Sequence, residues 1–269
     1  MALRALSISE AVQVRPCYGG YAESTAFAGV NLRSVDLPLS LWGARTLHQG
    51  KWEKALRQIA TDLGDDFRGA LFLGNPNNPD GRQLPWKEVE ALAQTIPHGF
   101  VFLDQSYMDF IELPGQNLGF RAPDFLPHNV LVFQSFTKFF CLAGVRLACV
   151  YGGPRPMARL RNRQLPWTVN GPAQEMAGLL YTHEAWLKQA QGYWKTALLA
   201  IQHEWSAKGV QPCTRHVPWL FGQLPAQTPG DSFLRDSLSI GSAVRVFQGG
   251  PEGLDQYVRV GLPLEVYGH

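Results

Sequence analysis

Short apolar runs recur along the chain, separated by stretches in which apolar residues return every three or four positions. That alternation predicts strands interleaved with helices in a layered α/β fold. Strands are expected near Val12–Arg15, Leu32–Leu37, Ala70–Leu73, Phe100–Asp104, Val130–Gln134 and Leu147–Tyr151. Helices are expected between them at Trp52–Leu63 and Pro85–Thr95, the second opened by a proline suited to a first turn. Phe100–Leu103 and Val130–Phe133 are unbroken apolar runs that end in polar residues. Strands covered on both faces look like this, with functional groups carried at their carboxyl ends.

Past Tyr151 the pattern turns helical, with segments at Arg155–Arg163, Pro172–Tyr181 and Glu184–Lys208. A shorter α+β tail follows, with strands near Trp219–Gln223, Ala243–Val246 and Tyr257–Val260. A boundary near residue 185 is therefore expected, leaving a large unit 1–185 and a small C-terminal unit 186–269. A chain of 269 residues is long enough to bury the core that each needs.

The formal net charge is only +2 and the basic residues are scattered, so nothing calls for nucleic acid or an anionic membrane as partner. Arg155–Arg163 holds four arginines, but at helical spacing it reads as a solvated face. Cys17, Cys141, Cys149 and Cys213 form no C-x-x-C pair, which argues against a metal or disulfide framework and for a reduced, cytoplasmic protein. The segment Met1–Leu6 turns polar too soon for a signal peptide, and no apolar run approaches the ~20 residues that cross a bilayer.

Three segments carry candidate chemistry. Gly74-Asn75-Pro76-Asn77-Asn78-Pro79-Asp80-Gly81 directly follows an apolar strand, and its prolines and glycines force a rigid turn. Taken alone it is equally a plain strand-to-helix loop. Asp104, in Val101-Phe102-Leu103-Asp104-Gln105-Ser106-Tyr107, closes an apolar strand as either a placed carboxylate or a helix cap. Lys138, in Gln134-Ser135-Phe136-Thr137-Lys138-Phe139-Phe140, is flanked by aromatic residues, whereas the other six lysines fall on polar helix faces or ends. An amine among apolar groups is costly unless paired, neutral or covalently used, although its stem can also snorkel to the surface.

The order N-P-x-N-P-x-G, then D-x-x-Y, then S-x-T-K and G-x-R resembles the class I/II aminotransferase family. Arg15-Pro16-Cys17-Tyr18-Gly19-Gly20-Tyr21 resembles its proline-aromatic loop, and Ala243-Val244-Arg245 and Tyr257-Val258-Arg259-Val260-Gly261 resemble its C-terminal arginine segments. The texture is that of the histidinol-phosphate aminotransferase branch, which includes threonine-phosphate decarboxylases of cobalamin synthesis. The resemblance implies a fold-type I architecture, a three-layer α/β/α large domain with a mainly parallel sheet plus a small α+β domain. It implies pyridoxal phosphate as cofactor, amino acid and 2-oxo acid substrates, and a homodimer.

It also implies roles residue by residue. Lys138 is matched to the lysine whose amine forms a Schiff base with the cofactor; apolar burial is expected to favour its neutral form. Asp104 is matched to the carboxylate that keeps the ring nitrogen protonated. Asn78 and Tyr107 are matched to the phenolic oxygen, and Tyr18 to the aromatic that stacks on the ring. Arg146, Ser135 and Thr137 are matched to the phosphate, for which a planar guanidinium and two hydroxyls are suited. Arg259, and after it Arg245, are matched to the substrate α-carboxylate, with a surface ion pair the rival reading for Arg245.

The chain departs from that pattern in its beginning. Met1–Leu6 resembles the end of a helix that in relatives follows a phosphate-binding Gly/Ser turn, and that turn and the arm before it are not in these 269 residues. Losing two charge-assisted hydrogen bonds is expected to weaken cofactor binding by about two to four decades. Smaller departures are Ala148, where relatives commonly carry Gly, and Gln105-Ser106 between Asp104 and Tyr107. Three readings follow: an aminotransferase, a decarboxylase of a phosphorylated amino acid on the same fold, and a non-catalytic scaffold. No G-x-G-x-x-G follows a strand, so a dinucleotide-binding enzyme is disfavoured.

Overall fold

The computed structural model describes residues 1–38, 41, 50–111, 126–214, 216–226, 228–239, 244–247 and 251–262. In chain order the elements are α1 (Ala2–Ala5), β1 (Glu10–Arg15), α2 (Gly20–Ala28), β2 (Asn31–Asp36), α3 (Lys51–Leu63), β3 (Ala70–Gly74) and α4 (Trp86–Thr95). Then come β4 (Phe100–Asp104), β5 (Val130–Ser135), β6 (Ala148–Gly152), α5 (Pro154–Arg161), α6 (Gly171–Ala177) and α7 (Glu184–Ala207). The chain ends with β7 (Gln211–Pro212), β8 (Trp219–Gln223), α8 (Gly230–Ser239), β9 (Val244–Val246) and β10 (Tyr257–Gly261).

Six strands form one sheet in the order β2-β1-β3-β4-β5-β6, parallel except for the antiparallel edge strand β6. Its strands alternate side chains between two cores, as a pleated sheet covered on both faces must. Val12, Val14, Leu71, Leu73, Val101, Leu103, Val130 and Val132 enter one core with Trp52, Leu56 and Ala60 of α3 and Val89 and Leu92 of α4. Ala11, Ala70, Phe72, Phe102 and Leu131 enter the other, with Leu3 and Ala5 of α1, Tyr21 of α2 and Leu160 of α5. The result is a three-layer α/β/α arrangement.

A second, antiparallel sheet of order β7-β8-β10-β9 follows the 24-residue helix α7. Trp219 and Phe221 of β8 and Tyr257 of β10 pack into the same core as α3 and α4. The two sheets thus share buried surface, with the small sheet held against one face of the large one.

Several boundaries differ from the sequence expectation. The helix expected over Pro172–Tyr181 ends at Ala177 and continues as turns, while Tyr181 packs on Phe136 and Phe140. Helices α2 and α8 lie outside the sequence expectation; in α2 small and polar residues blur the periodicity. Ala243 of the expected strand lies outside the described residues, but Val244–Val246 pairs with β10. Among the described residues no helix is long and apolar enough to cross a membrane.

Candidate active site

Strands β3, β4 and β5 are parallel neighbours, and the register aligns Gly74 with Asp104 and Asp104 with Phe133. The loops leaving their carboxyl ends therefore emerge side by side, although they lie some thirty residues apart in sequence. Backbone bonds fix this: Asn75 N donates to Asp104 O at 2.8 Å, and Gln105 N donates to Phe133 O at 2.7 Å. β1 pairs with β3, which brings in the loop Pro16-Cys17-Tyr18 as well.

The asparagine–proline loop is held by its own side chains. Asn75 donates to Leu84 O and accepts from Leu84 N, both at 2.9 Å. Asn77 Nδ2 donates to Pro16 O and to Asp80 Oδ1, also at 2.9 Å, which ties this loop to the one after β1. Buried polar groups satisfied in this way rigidify a loop. Asn78 stands half-buried at its tip.

Two cavities meet at Tyr18. The first, of about 330 Å³, is lined by Tyr18, Tyr21, Phe72, Asp104, Ser106 and Ser135 among others. The second, of about 200 Å³, is lined by Tyr18, Asn78, Arg15, Arg245 and Phe247 among others. The Tyr18 side chain is 48% exposed, so its ring offers an open face at the junction.

Asp104 is the fixed point of the first cavity. Its Oδ2 accepts from the Tyr21 hydroxyl at 3.0 Å, and its Oδ1 accepts from Ser106 N at 2.9 Å and Ser106 Oγ at 2.5 Å. Burial, then the nearby Asp104 charge, pushes the Tyr21 phenol well above its usual range, which keeps it a donor. Tyr21 also stacks on Phe72 at 5.0 Å and meets Tyr18 edge-on at 5.6 Å. Tyr21 and Ser106 are site residues that sequence reasoning passed over. The signal for Tyr21 was its place one helical turn after Tyr18, behind Gly19-Gly20.

Tyr107 and Arg259 come together from the two sheets. The Tyr107 phenol is raised chiefly by burial, and burial lowers the Arg259 guanidinium from its usual range. Trp219 lies beneath both, with the Arg259 guanidinium 4.3 Å from the centre of its ring and the Tyr107 ring 4.6 Å away, edge-on. Arg245 is paired with Arg259 in the β9–β10 register, is exposed, and rests on Phe247 at 5.5 Å.

Two expectations need correction. Lys138 is exposed and lines neither cavity, while Phe136, Thr137 and Phe139 around it are buried. The turn after β5 sends Phe136 into a core with Leu147 and Leu180, and Phe139 into another with Phe110 and Leu187. The intervening lysine therefore faces outward, so apolar neighbours in sequence did not become apolar neighbours in space. Arg146 is exposed as well, with φ +61°, and Nη1 donates to Ala143 O at 2.9 Å. Ser135 Oγ and Thr137 Oγ1 instead bond to each other at 2.8 Å, and only Ser135 lines the first cavity.

The fold and the site define an α/β protein with an acid-floored, aromatic-walled pocket at the carboxyl ends of parallel strands. The sequence profile of aminotransferase class I and II matches residues 1–196, and the chain belongs to that family. It is 33% identical over 169 residues to a histidinol-phosphate aminotransferase of Nitratidesulfovibrio vulgaris, covering 62% of this chain and 42% of that protein. It is 27% identical over 193 residues to the adenosylcobalamin biosynthesis bifunctional protein CobDQ of Leptospira interrogans, covering 68% of this chain and 20% of that protein. The chain thus spans half or less of the length of the curated relatives it matches. Among solved structures, the histidinol-phosphate aminotransferase of Clostridium acetobutylicum superposes with a TM-score of 0.79 at 18% identity, over 97% of this chain and 75% of that one. The L-threonine-O-3-phosphate decarboxylase of Porphyromonas gingivalis gives 0.71 at 19%, over 97% and 74%. At such identities these two establish the fold alone.

Proposed function

We propose that the chain carries the pyridoxal-phosphate site of an aminotransferase, moving an amino group between an amino acid or amine phosphate and a 2-oxo acid. One observation carries the reading: Asp104, held by three donors, sits in a cavity beside an open tyrosine face at the carboxyl ends of β4 and β5. A carboxylate, an aromatic face and a hydroxyl around about 330 Å³ fit a protonated pyridine ring.

Bound there, the cofactor supplies a ring that takes up the electron pair released at the substrate's α-carbon. Asp104 holds a proton at the ring nitrogen. Tyr18 would stack on the ring, and Asn78 and Tyr107 would serve the phenolic oxygen. Ser135 and Thr137 would offer hydroxyls to the phosphate, and Arg146 its guanidinium. Lys138, three residues beyond Ser135, would be the amine that holds the cofactor and carries the α-carbon proton. Arg259, with Arg245 beside it, holds the α-carboxylate. Residues 1–185 form the cofactor-binding unit and 186–269 the small unit, a division supported by the large sheet ending before α7 and the small sheet beginning after it.

Two wider readings accompany this one. Exposed Leu165, Trp167, Val169, Leu179 and Trp186 favour pairing with a second copy of the chain, which molar mass in solution checks. Four cysteines without a disulfide favour the cytoplasm. Decarboxylation of a phosphorylated amino acid is the second catalytic reading, supported by the name of the Porphyromonas protein; carbon dioxide release from threonine phosphate distinguishes it. The primary test is the visible spectrum with added pyridoxal phosphate. A band lost in Lys138→Ala is expected; a band unchanged by that substitution ends the assignment of Lys138. A protein that stays colourless with excess cofactor, yet folds and binds a partner, supports the scaffold reading instead.

A further inference from the structure

We infer that Trp219 is a positioning residue that seats Arg259 and Tyr107 and anchors the Asn78 loop, so that one buried indole sets the geometry of the carboxylate end of the site. The inference rests on the function proposed above for Arg259. Three segments distant in sequence converge on this ring. The Arg259 guanidinium stacks on its face at 4.3 Å, the Tyr107 ring meets it edge-on at 4.6 Å, and its Nε1 donates to Pro79 O at 2.5 Å. Pro79 is the residue next to Asn78, and Trp219 itself has no exposed surface.

The physics of the contact explains why an indole suits the position. Stacking on an aromatic face holds a guanidinium in one plane while leaving its edge N–H groups free for a planar partner. Among the described residues Arg259 Nε is buried and has no hydrogen-bond partner, so donor capacity remains on a side chain whose face is already fixed. A carboxylate meeting the edge of that plane makes two parallel bonds. The indole N–H adds a second function that no phenyl ring has, a direct bond from the small sheet to the loop of the large one. Pre-set geometry of this kind lowers the entropy lost when the substrate is held.

The test separates the seat from the chemistry. In the cofactor-free protein, phenylglyoxal labelling of each arginine is followed by mass spectrometry, with Arg245 across the strand pair as the exposed reference. Arg259 should label about tenfold more slowly than Arg245 in the native protein and in Trp219→Phe, and approach the Arg245 rate in Trp219→Leu. Equal rates for Arg259 and Arg245 in the native protein overturn the inference, whether or not Trp219→Leu folds. An Arg259 rate in folded Trp219→Leu that equals the native rate also overturns it. In the loaded enzyme, Trp219→Leu should raise the amino-acid KM about tenfold with kcat and the visible band little changed, and Trp219→Phe should restore most of the KM. A fall in kcat at constant KM rejects the positioning role. Absence of any band in the native protein removes the proposed function while leaving the labelling result standing.

Discussion

The Tyr21 hydroxyl donates to Asp104 Oδ2 at 3.0 Å across 83 residues of sequence, joining the first turn of α2 to the carboxyl end of β4. Removing that bond leaves the Asp104 carboxylate with only Ser106 as donor. Tyr21→Phe should weaken pyridoxal phosphate binding by about ten- to hundredfold, the scale of one hydrogen bond to a charged group. Spectrophotometric titration measures it, and an unchanged dissociation constant would separate Tyr21 from the site.

Asp80 and Arg82 form an ion pair with both side chains almost wholly buried, and Arg82 also lies 5.4 Å from the centre of the Trp52 ring. Among the described residues Arg82 Nε and Nη1 have no hydrogen-bond partner, and Asp80 is the charge paired with this guanidinium. Asp80→Ala should cost about 3–5 kcal/mol in urea unfolding, because it strands a buried cation. The double variant Asp80→Ala with Arg82→Met should recover much of that loss.

Gly81 has φ +70°, and a Cβ there would lie 2.9 Å from Val217 Cγ2 and 3.1 Å from Thr214 Cγ2. Gly81→Ala should therefore destabilise by about 1–3 kcal/mol through both the left-handed backbone and the clash with Val217 and Thr214. Adding Val217→Ala should relieve the clash and not the backbone strain, which a thermal unfolding series would resolve.

Burial raises the thiols of Cys17 and Cys213 from the ordinary 9.0 to about 12. Folded-state values above the unfolded ones mean that the stability from keeping these thiols neutral is fully present below pH 9. It is lost as the pH climbs from 9 toward 12, because the unfolded chain releases these protons first. Each thiol should contribute a slope of up to about 1.4 kcal/mol per pH unit in that window. Unfolding free energies of Cys17→Ala with Cys213→Ala should fall less steeply between pH 9 and 11 than those of the native chain.

The strands and the order of the motifs were legible because both are local. An apolar run such as Phe100–Leu103 has to be buried on both faces, and the polar residue that ends it has to be at the strand's mouth. That rule singled out Asp104 as a placed carboxylate or a helix cap, and the family resemblance gave it a role. The same reasoning misled at Lys138, because a turn distributes consecutive side chains to different sides, and Phe136 and Phe139 entered two separate cores. Helix α2 was illegible because Gly20–Ala28 buries only Tyr21 and Thr25 and so carries no stripe.

Alternating and unbroken apolar patterns, which act over a few residues, were enough to determine an α/β layered chain with its reactive groups at strand ends. Which of those groups meet was decided in three dimensions. The parallel register placed Asn78, Asp104 and Ser135 at one edge, and the packing of the small sheet carried Trp219 and Arg259 to Tyr107. Such contacts depend on how whole elements dock, and no window along the chain contains both partners.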